Sequence, residues 1–216
     1  MAARLGLVAL LAAMFGSTAL AAAGDPERRA INTADQAWAK RANLMLRDLP
    51  SGFTQGPRNT SRESGLTCSG FAPDLSRFTI TGQAMSRQFA RADGTSLFSS
   101  VEIFRSVSDR RGDWALTARK EALPCLRETL KMASGGVLNV TKATMRPAPR
   151  LGERSISFRA SVAVNGNGVK TTIWLDVLGV ARGRGDATLG VISLHTPPSA
   201  ALESALLAKL ASRLAA

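Results

Sequence analysis

Few residues in this chain have the type and spacing that chemistry demands. The single histidine, His195, stands two residues before Pro197. A Ser-His-Asp hydrolase of the common α/β type presents its serine on a strained elbow, and G-x-S-x-G occurs nowhere in the sequence. His195 is therefore read as a structural residue at a strand end. The carboxylates Glu102, Glu153 and Asp176 lie far apart along the chain. They could act as paired acids only if folding gathered them, and scattered acids in a basic chain ordinarily serve as ion-pair partners. No phosphate-cradling loop and no dinucleotide fingerprint is present. One histidine and two distant cysteines cannot fill a tetrahedral metal shell. No catalytic residue, metal or cofactor is expected.

Those cysteines, Cys68 and Cys125, are the only two. In an oxidising compartment an even count favours a disulfide, and two free buried thiols are the alternative. Closing a loop of this length stabilises a fold by roughly 3–5 kcal/mol in the chain-entropy model. The start of the chain points to that compartment. Arg4 is the only charge before Asp25, Leu5 to Leu20 is almost wholly apolar, and small residues follow at Ala19-Leu20-Ala21 and beyond. This is the pattern of a signal peptide over residues 1–23, with cleavage near Ala21 or Ala23. The apolar run is shorter than the ~20 residues of a spanning helix. No cysteine near the junction offers a lipid anchor. The expectation is a secreted or extracytoplasmic protein of periplasm or cell wall, peripheral at most to a membrane.

The 28 basic and 16 acidic residues give a net charge of +12, and Arg4 alone falls in the leader, leaving +11. Arginine outnumbers lysine 22 to 6, a bias of high-GC genomes. An exported cation meets anionic envelope polymers and lipid headgroups, with an attraction that salt weakens. The charge could equally serve solubility alone. The basic residues are scattered and lack interleaved stacking aromatics, so nucleic acid is not an expected partner. Trp174, Arg182 and Arg184 are the candidate ligand-binding residues, because a cationic cleft with an aromatic wall suits an anionic ligand.

The elements that must position these residues are legible as a series. A helix is expected over 34–48, capped by Thr33 with Gln36 and buried through Trp38, Ala42, Met45 and Leu49. A polar loop over 51–70 precedes short strands at 77–81 and 84–91, with Gly82 as a bulge, and a strand at 96–107. A helix at 108–132 carries Trp114, Ala118, Ala122, Leu126 and Leu130, with a kink or fresh start at Pro124. Four strands follow, at 137–145, 153–164, 169–180 and 187–194. The second alternates: Ile156, Phe158, Ala160, Val162 and Val164 against Ser155, Ser157, Arg159 and Ser161, which predicts one buried and one wet face. The third is apolar on both sides and is the candidate for a central strand. Asn165-Gly166-Asn167-Gly168 and Gly183-Arg184-Gly185-Asp186 read as hairpin turns. The Arg184-Gly185-Asp186 tripeptide is thus a turn and not an integrin ligand. Asn59 and Asn139 fit the glycosylation acceptor pattern, without meaning in a bacterial product. A helix over 198–214 carries Leu202, Leu206, Leu210 and Leu214 in one stripe. The sum is one α+β domain over 34–216, an antiparallel sheet with helices packed on it, after a flexible lead-in at 24–33.

The order of these features resembles a family. Asp48-Leu49-Pro50-Ser51-Gly52-Phe53 precedes the cysteine loop and Phe78–Gly82. Ser100-Val101-Glu102-Ile103-Phe104, the helix with Leu123-Pro124-Cys125-Leu126, the hairpin from Ile173 to Leu194 and a leucine helix follow. This is similar to the actinobacterial extracytoplasmic proteins related to the sensor domain of mycobacterial receptor kinase H, whose α/β sandwich is akin to the photosystem subunit PsbP. The resemblance implies a noncatalytic binding or sensing module with a cleft over the sheet. The chain has one cysteine pair where the kinase sensor has two, and it lacks a kinase segment, so sensing would pass through another envelope protein.

The expectation is a secreted, noncatalytic binding or sensor-like protein that engages an anionic envelope polymer, a lipid headgroup or a small ligand. An envelope glycan or lipid hydrolase with a site assembled in space is the alternative, as is a structural or host-surface interaction protein.

Overall fold

The computed structural model describes residues 25–58, 68, 70–133, 139–166 and 169–215. The expected leader, the Asn59 acceptor and the 167–168 tip of the first long hairpin lie outside the described residues.

Among the described residues, strand-forming sequence comes in nine pieces: β1 (Arg28–Arg29), β2 (Phe53–Arg58), β3 (Thr79–Met85), β4 (Arg87–Arg91), β5 (Ser96–Phe104), β6 (Asn139–Met145), β7 (Arg154–Gly166), β8 (Val169–Arg182) and β9 (Gly185–Leu194). They form one sheet in the order β1-β3-β5-β9-β8-β7-β6, with β4 against β5 and β2 outside β4. All pairs are antiparallel except β1 with β3. That pair makes the sheet mixed. It also replaces the expected free lead-in: Arg28 N–H donates to Phe78 O and Ala30 N–H to Ile80 O, each at 2.9 Å. Gly82 is the bulge, where the β3–β5 register shifts. Its missing Cβ matters, since a side chain there would overlap the Asp35 main chain.

Four helices flank the sheet among the described residues: α1 (Thr33–Ala42), α2 (Val107–Thr117), α3 (Ala122–Ala133) and α4 (Ala200–Arg213). α1 and α4 cover one face, over Val101, Ile103, Leu178, Val180, Leu189 and Val191. α4 buries the expected stripe, with Leu206, Leu210 and Leu214 inside and Leu207 added. Each such side chain is worth about 1.5–3 kcal/mol of transfer free energy. On the opposite face α3 covers Ala160, Val162, Ile173 and Leu175, and α2 lies near Phe78 and Phe104. β8 is thereby buried on both faces, as its composition predicts. Among the described residues no helix is long and apolar enough to cross a membrane.

Three helix expectations are corrected. α1 is capped by Asn32, whose Oδ1 accepts the Asp35 N–H at 2.9 Å, and not by Thr33. Gln36 is drawn elsewhere: its side-chain amide bonds both main-chain groups of Gln83 at 2.8 and 3.1 Å. α1 also stops at Ala42, because the Asn43 side chain takes the Leu44 N–H and the Ser99 hydroxyl; a 3-10 turn, Leu46–Asp48, follows. The single helix expected at 108–132 is two. The fresh start comes at Ala122, with Pro124 in the first turn, where no intrahelical N–H is needed. Cys125 in that turn is disulfide-bonded to Cys68, at a Cα separation of 5.4 Å.

Candidate functional site

Period-two alternation puts Asp176 and Trp174 on the α4 face of β8. Cross-strand register sets Arg159 opposite Asp176 and Ser161 opposite Trp174 on β7. The Arg159 guanidinium forks onto Asp176: Nε donates to Oδ1 at 2.7 Å, and Nη2 donates to Oδ2. Arg146, the residue after β6, is held in line by its N–H on Ser157 O at 2.8 Å, and its Nη1 donates to Asp176 Oδ2 at 2.7 Å. From above, the first turn of α4 lowers Glu203 onto the same group. Ser199 caps that turn, accepting the Leu202 N–H at 3.4 Å. Arg146 Nη1 reaches Glu203 Oε2 at 3.4 Å, and Arg159 Nη2 stands 4.0 Å from Oε1. The Arg159 guanidinium carbon also lies 5.6 Å from the centre of the Trp174 ring, a cation–π distance. Trp174 Nε1 donates to His195 O at 3.4 Å.

The acids are inside and the cations at the rim. Asp176 and Glu203 are buried, at 0% and 2% exposure, whereas the Arg146 and Arg159 side chains keep 25% and 19%. Burial pushes the Glu203 carboxyl up to about 8, and the neighbouring Asp176 adds to the rise through a side-chain hydrogen bond and its charge. Glu203 Oε1 has no hydrogen-bond partner as a carboxylate. A proton on Glu203 would allow a side-chain hydrogen bond to the neighbouring Asp176, a contact that contributes to the rise. The hydrogen bonds that Arg159 donates to Asp176 hold its guanidinium above its ordinary range.

Arg184 and Arg182 stand at the other end of the β8–β9 hairpin, eight residues from Trp174 along β8, or about 26 Å at the usual strand rise. Trp174 and these two arginines therefore do not form one cluster. Arg184 is committed to Asp35, with Nη2–Oδ1 at 2.8 Å and Nη1–Oδ2 at 3.0 Å, and also donates to Phe104 O at 2.9 Å. It lies 5.4 Å from the centre of the Trp38 ring. The Arg184 hydrogen bonds drive the Asp35 carboxyl far below the carboxylate range, against its burial. Arg182 is exposed at the end of β8. Gly183 and Arg184 form the hairpin turn, with Gly183 at φ 56°, and Gly185 and Asp186, expected in the turn, are the first residues of β9.

The three acids singled out from sequence are not gathered. Glu102 on β5 accepts from Gln83 Nε2 at 2.6 Å. Glu153 serves the turn, accepting the Gly183 N–H at 2.9 Å and Arg110 Nη2 at 2.6 Å, and these bonds lower its carboxyl to about 2. Asp176 meets Glu203 instead. No spacing rule links a strand residue to a helix residue 27 positions later, and nothing in the sequence pattern singles out Arg146. His195 follows β9 with φ 69° and contributes its carbonyl to Trp174. A second acid with a raised value, the buried Asp113 on α2, is pushed up to about 7 by burial and then by Glu27. Among the described residues no three His, Cys, Asp or Glu side chains come together as a metal shell.

No family model matches this chain, and neither the curated proteins nor the solved structures compared with it give a match.

Proposed function

We propose that the chain is an exported, noncatalytic binding domain of a bacterial envelope that holds an anionic envelope component against Arg146, Arg159 and Trp174. The observation that carries this reading is the convergence of two rim guanidinium groups and an indole over a single buried acid pair. Guanidinium forks match two-oxygen anions, and the indole offers a flat apolar wall beside them. On this reading the helices and sheet are a sandwich of the PsbP type, used as in the receptor-kinase sensor domains. The disulfide and the basic surface suit an oxidising, polyanion-rich compartment.

The close acid pair is what a glycan hydrolase would use, with one carboxyl protonated and one ionised. Here both are buried, and Asp176 is taken up by two arginines. That leaves no carboxylate oxygen at the rim to meet a glycosidic bond, which favours binding.

Co-purification from native envelope followed by mass spectrometry, with binding to wall polymer and phosphatidylglycerol vesicles at physiological salt, tests the reading. Retention of an anionic molecule, weakened at least tenfold by Arg146→Gln and unchanged by Arg182→Ala, is expected. Recovery of nothing together with no binding in either assay contradicts it. The disulfide is tested separately by intact mass under alkylation: native secreted material should carry no alkylatable thiol, and two would overturn the bridge.

A further inference from the structure

Two arginines surround two buried acids, Asp176 and Glu203, and Glu203 Oε1 has no hydrogen-bond partner. Arg159 spends Nε and Nη2 on Asp176, and Arg146 spends Nη1 on Asp176 and Glu203. Arg159 Nη1 and Arg146 Nε and Nη2 make no hydrogen bond among the described residues, on side chains that reach the surface. Each guanidinium has five donors, so unused donor capacity remains on both. An anion at the rim would bring the charge of the cluster to balance. Ionisation of Glu203 would do the same from beneath, because its unpartnered Oε1 is buried in the same group of charges. Rim anion and Glu203 charge are alternative ways to neutralise the same two cations.

Resting on the anion contact proposed above, we infer that Arg146 and Arg159 bind one monoanionic two-oxygen group, a carboxylate or a phosphodiester, in competition with ionisation of Glu203. Binding and protonation of Glu203 are then linked, and affinity falls in alkaline solution. The position of the Glu203 carboxyl, near 8, puts the change in an accessible range. The charged groups around Glu203 are Asp176 from β8, Arg159 from β7 and Arg146 from the segment after β6. His195, just after β9, is the other titratable group beside Trp174.

The test measures dissociation constants between pH 6 and 9.5 for benzoate, dimethyl phosphate and phosphatidylglycerol vesicles, none of which titrates there. Binding of dimethyl phosphate at the affinity of the vesicles assigns the anion to a free or polymer phosphodiester, and binding confined to vesicles assigns it to a lipid headgroup. For whichever probe binds, affinity is expected to fall about tenfold from pH 7 to pH 9 in the wild type, the limit for a group with a midpoint near 8 and full exclusion. Glu203→Gln should flatten that slope, and His195→Asn should keep it. Calorimetry of the wild type at pH 8.5 in two buffers of different ionisation enthalpy should show more than half a proton taken up per ligand, and this holds even if a variant fails to fold. Binding without proton uptake, or a slope that survives Glu203→Gln, overturns the linkage while leaving the anion contact standing. No binding of any probe at pH 7 overturns the contact itself.

Discussion

The two ends of the β8–β9 hairpin solve the same problem in opposite ways. At the turn, Asp35 and Glu153 sit against Arg184 and Arg110, and each carboxyl is held ionised by donors aimed at it. At the far end Asp176 absorbs the donors of two arginines, and Glu203 beside it keeps a proton. The difference is one of proximity and depth. At the turn the two acids lie apart, each against its own arginine, and the Arg184–Asp35 pair fastens α1 to the hairpin. Two acids buried side by side cannot both ionise cheaply, so one becomes a titratable reserve beneath exposed cations. Ion pairs of the first kind serve architecture, and a cluster of the second kind can respond to a ligand or to pH.

The largest expected effect separates depth from charge. Asp176→Ala leaves two guanidinium groups without their shared acid and should cost about 3–5 kcal/mol, read as a lowered urea midpoint. Asp35→Ala at the turn end should cost less, about 1–3 kcal/mol, since Arg184 keeps solvent access and its bond to Phe104 O. Equal losses would remove the distinction between the two ends.

Acid and alkali should find opposite ends of the molecule. Asp35 and Glu153 have folded values below their ordinary ones, so their stabilisation is complete above about pH 4.5 and is lost as pH falls. Glu203 and Asp113 have raised values, about 8 and 7. Their contribution is complete below their ordinary range and is lost as pH rises from about 4 to 8. The urea midpoint should therefore peak near pH 4–5 and decline toward pH 8. Glu203→Gln should shallow the alkaline decline without altering the acid one. The smallest effect belongs to Arg182, exposed at the strand end: Arg182→Ala should stay within about 0.5 kcal/mol of the wild type.

How much of this could be read in the chain depends on what each signal measures. β7 was legible because alternation fixes which residues share a face. What alternation cannot report is whether the polar face meets water. Ser157 and Ser161 are buried at 2% and 7% exposure, and the face expected to be wet forms one side of the Arg159–Asp176 cluster instead. The leucine stripe of α4 was equally plain, yet nothing in it singled out Glu203. Its partner is set by where α4 docks, and docking is a tertiary fact. The same limit explains α1. Thr33 and Gln36 have the spacing of a capping box, but Asn32 caps and Gln36 bonds β3, because Gly82 lets the two elements touch. The turn at Gly183–Arg184 was legible as a turn. The commitment of Arg184 to a residue 149 positions away was not.

The central claim is that one hairpin end keeps a proton where the other keeps a charge. Side-chain carboxyl carbon NMR of the folded protein, with Glu203 assigned by its loss in Glu203→Gln, reads both ends in one titration. The account predicts that Glu203 titrates with a midpoint near pH 8 while Asp35 shows no titration down to pH 3. A Glu203 midpoint between about 4 and 5, the ordinary range for a glutamate, would contradict it.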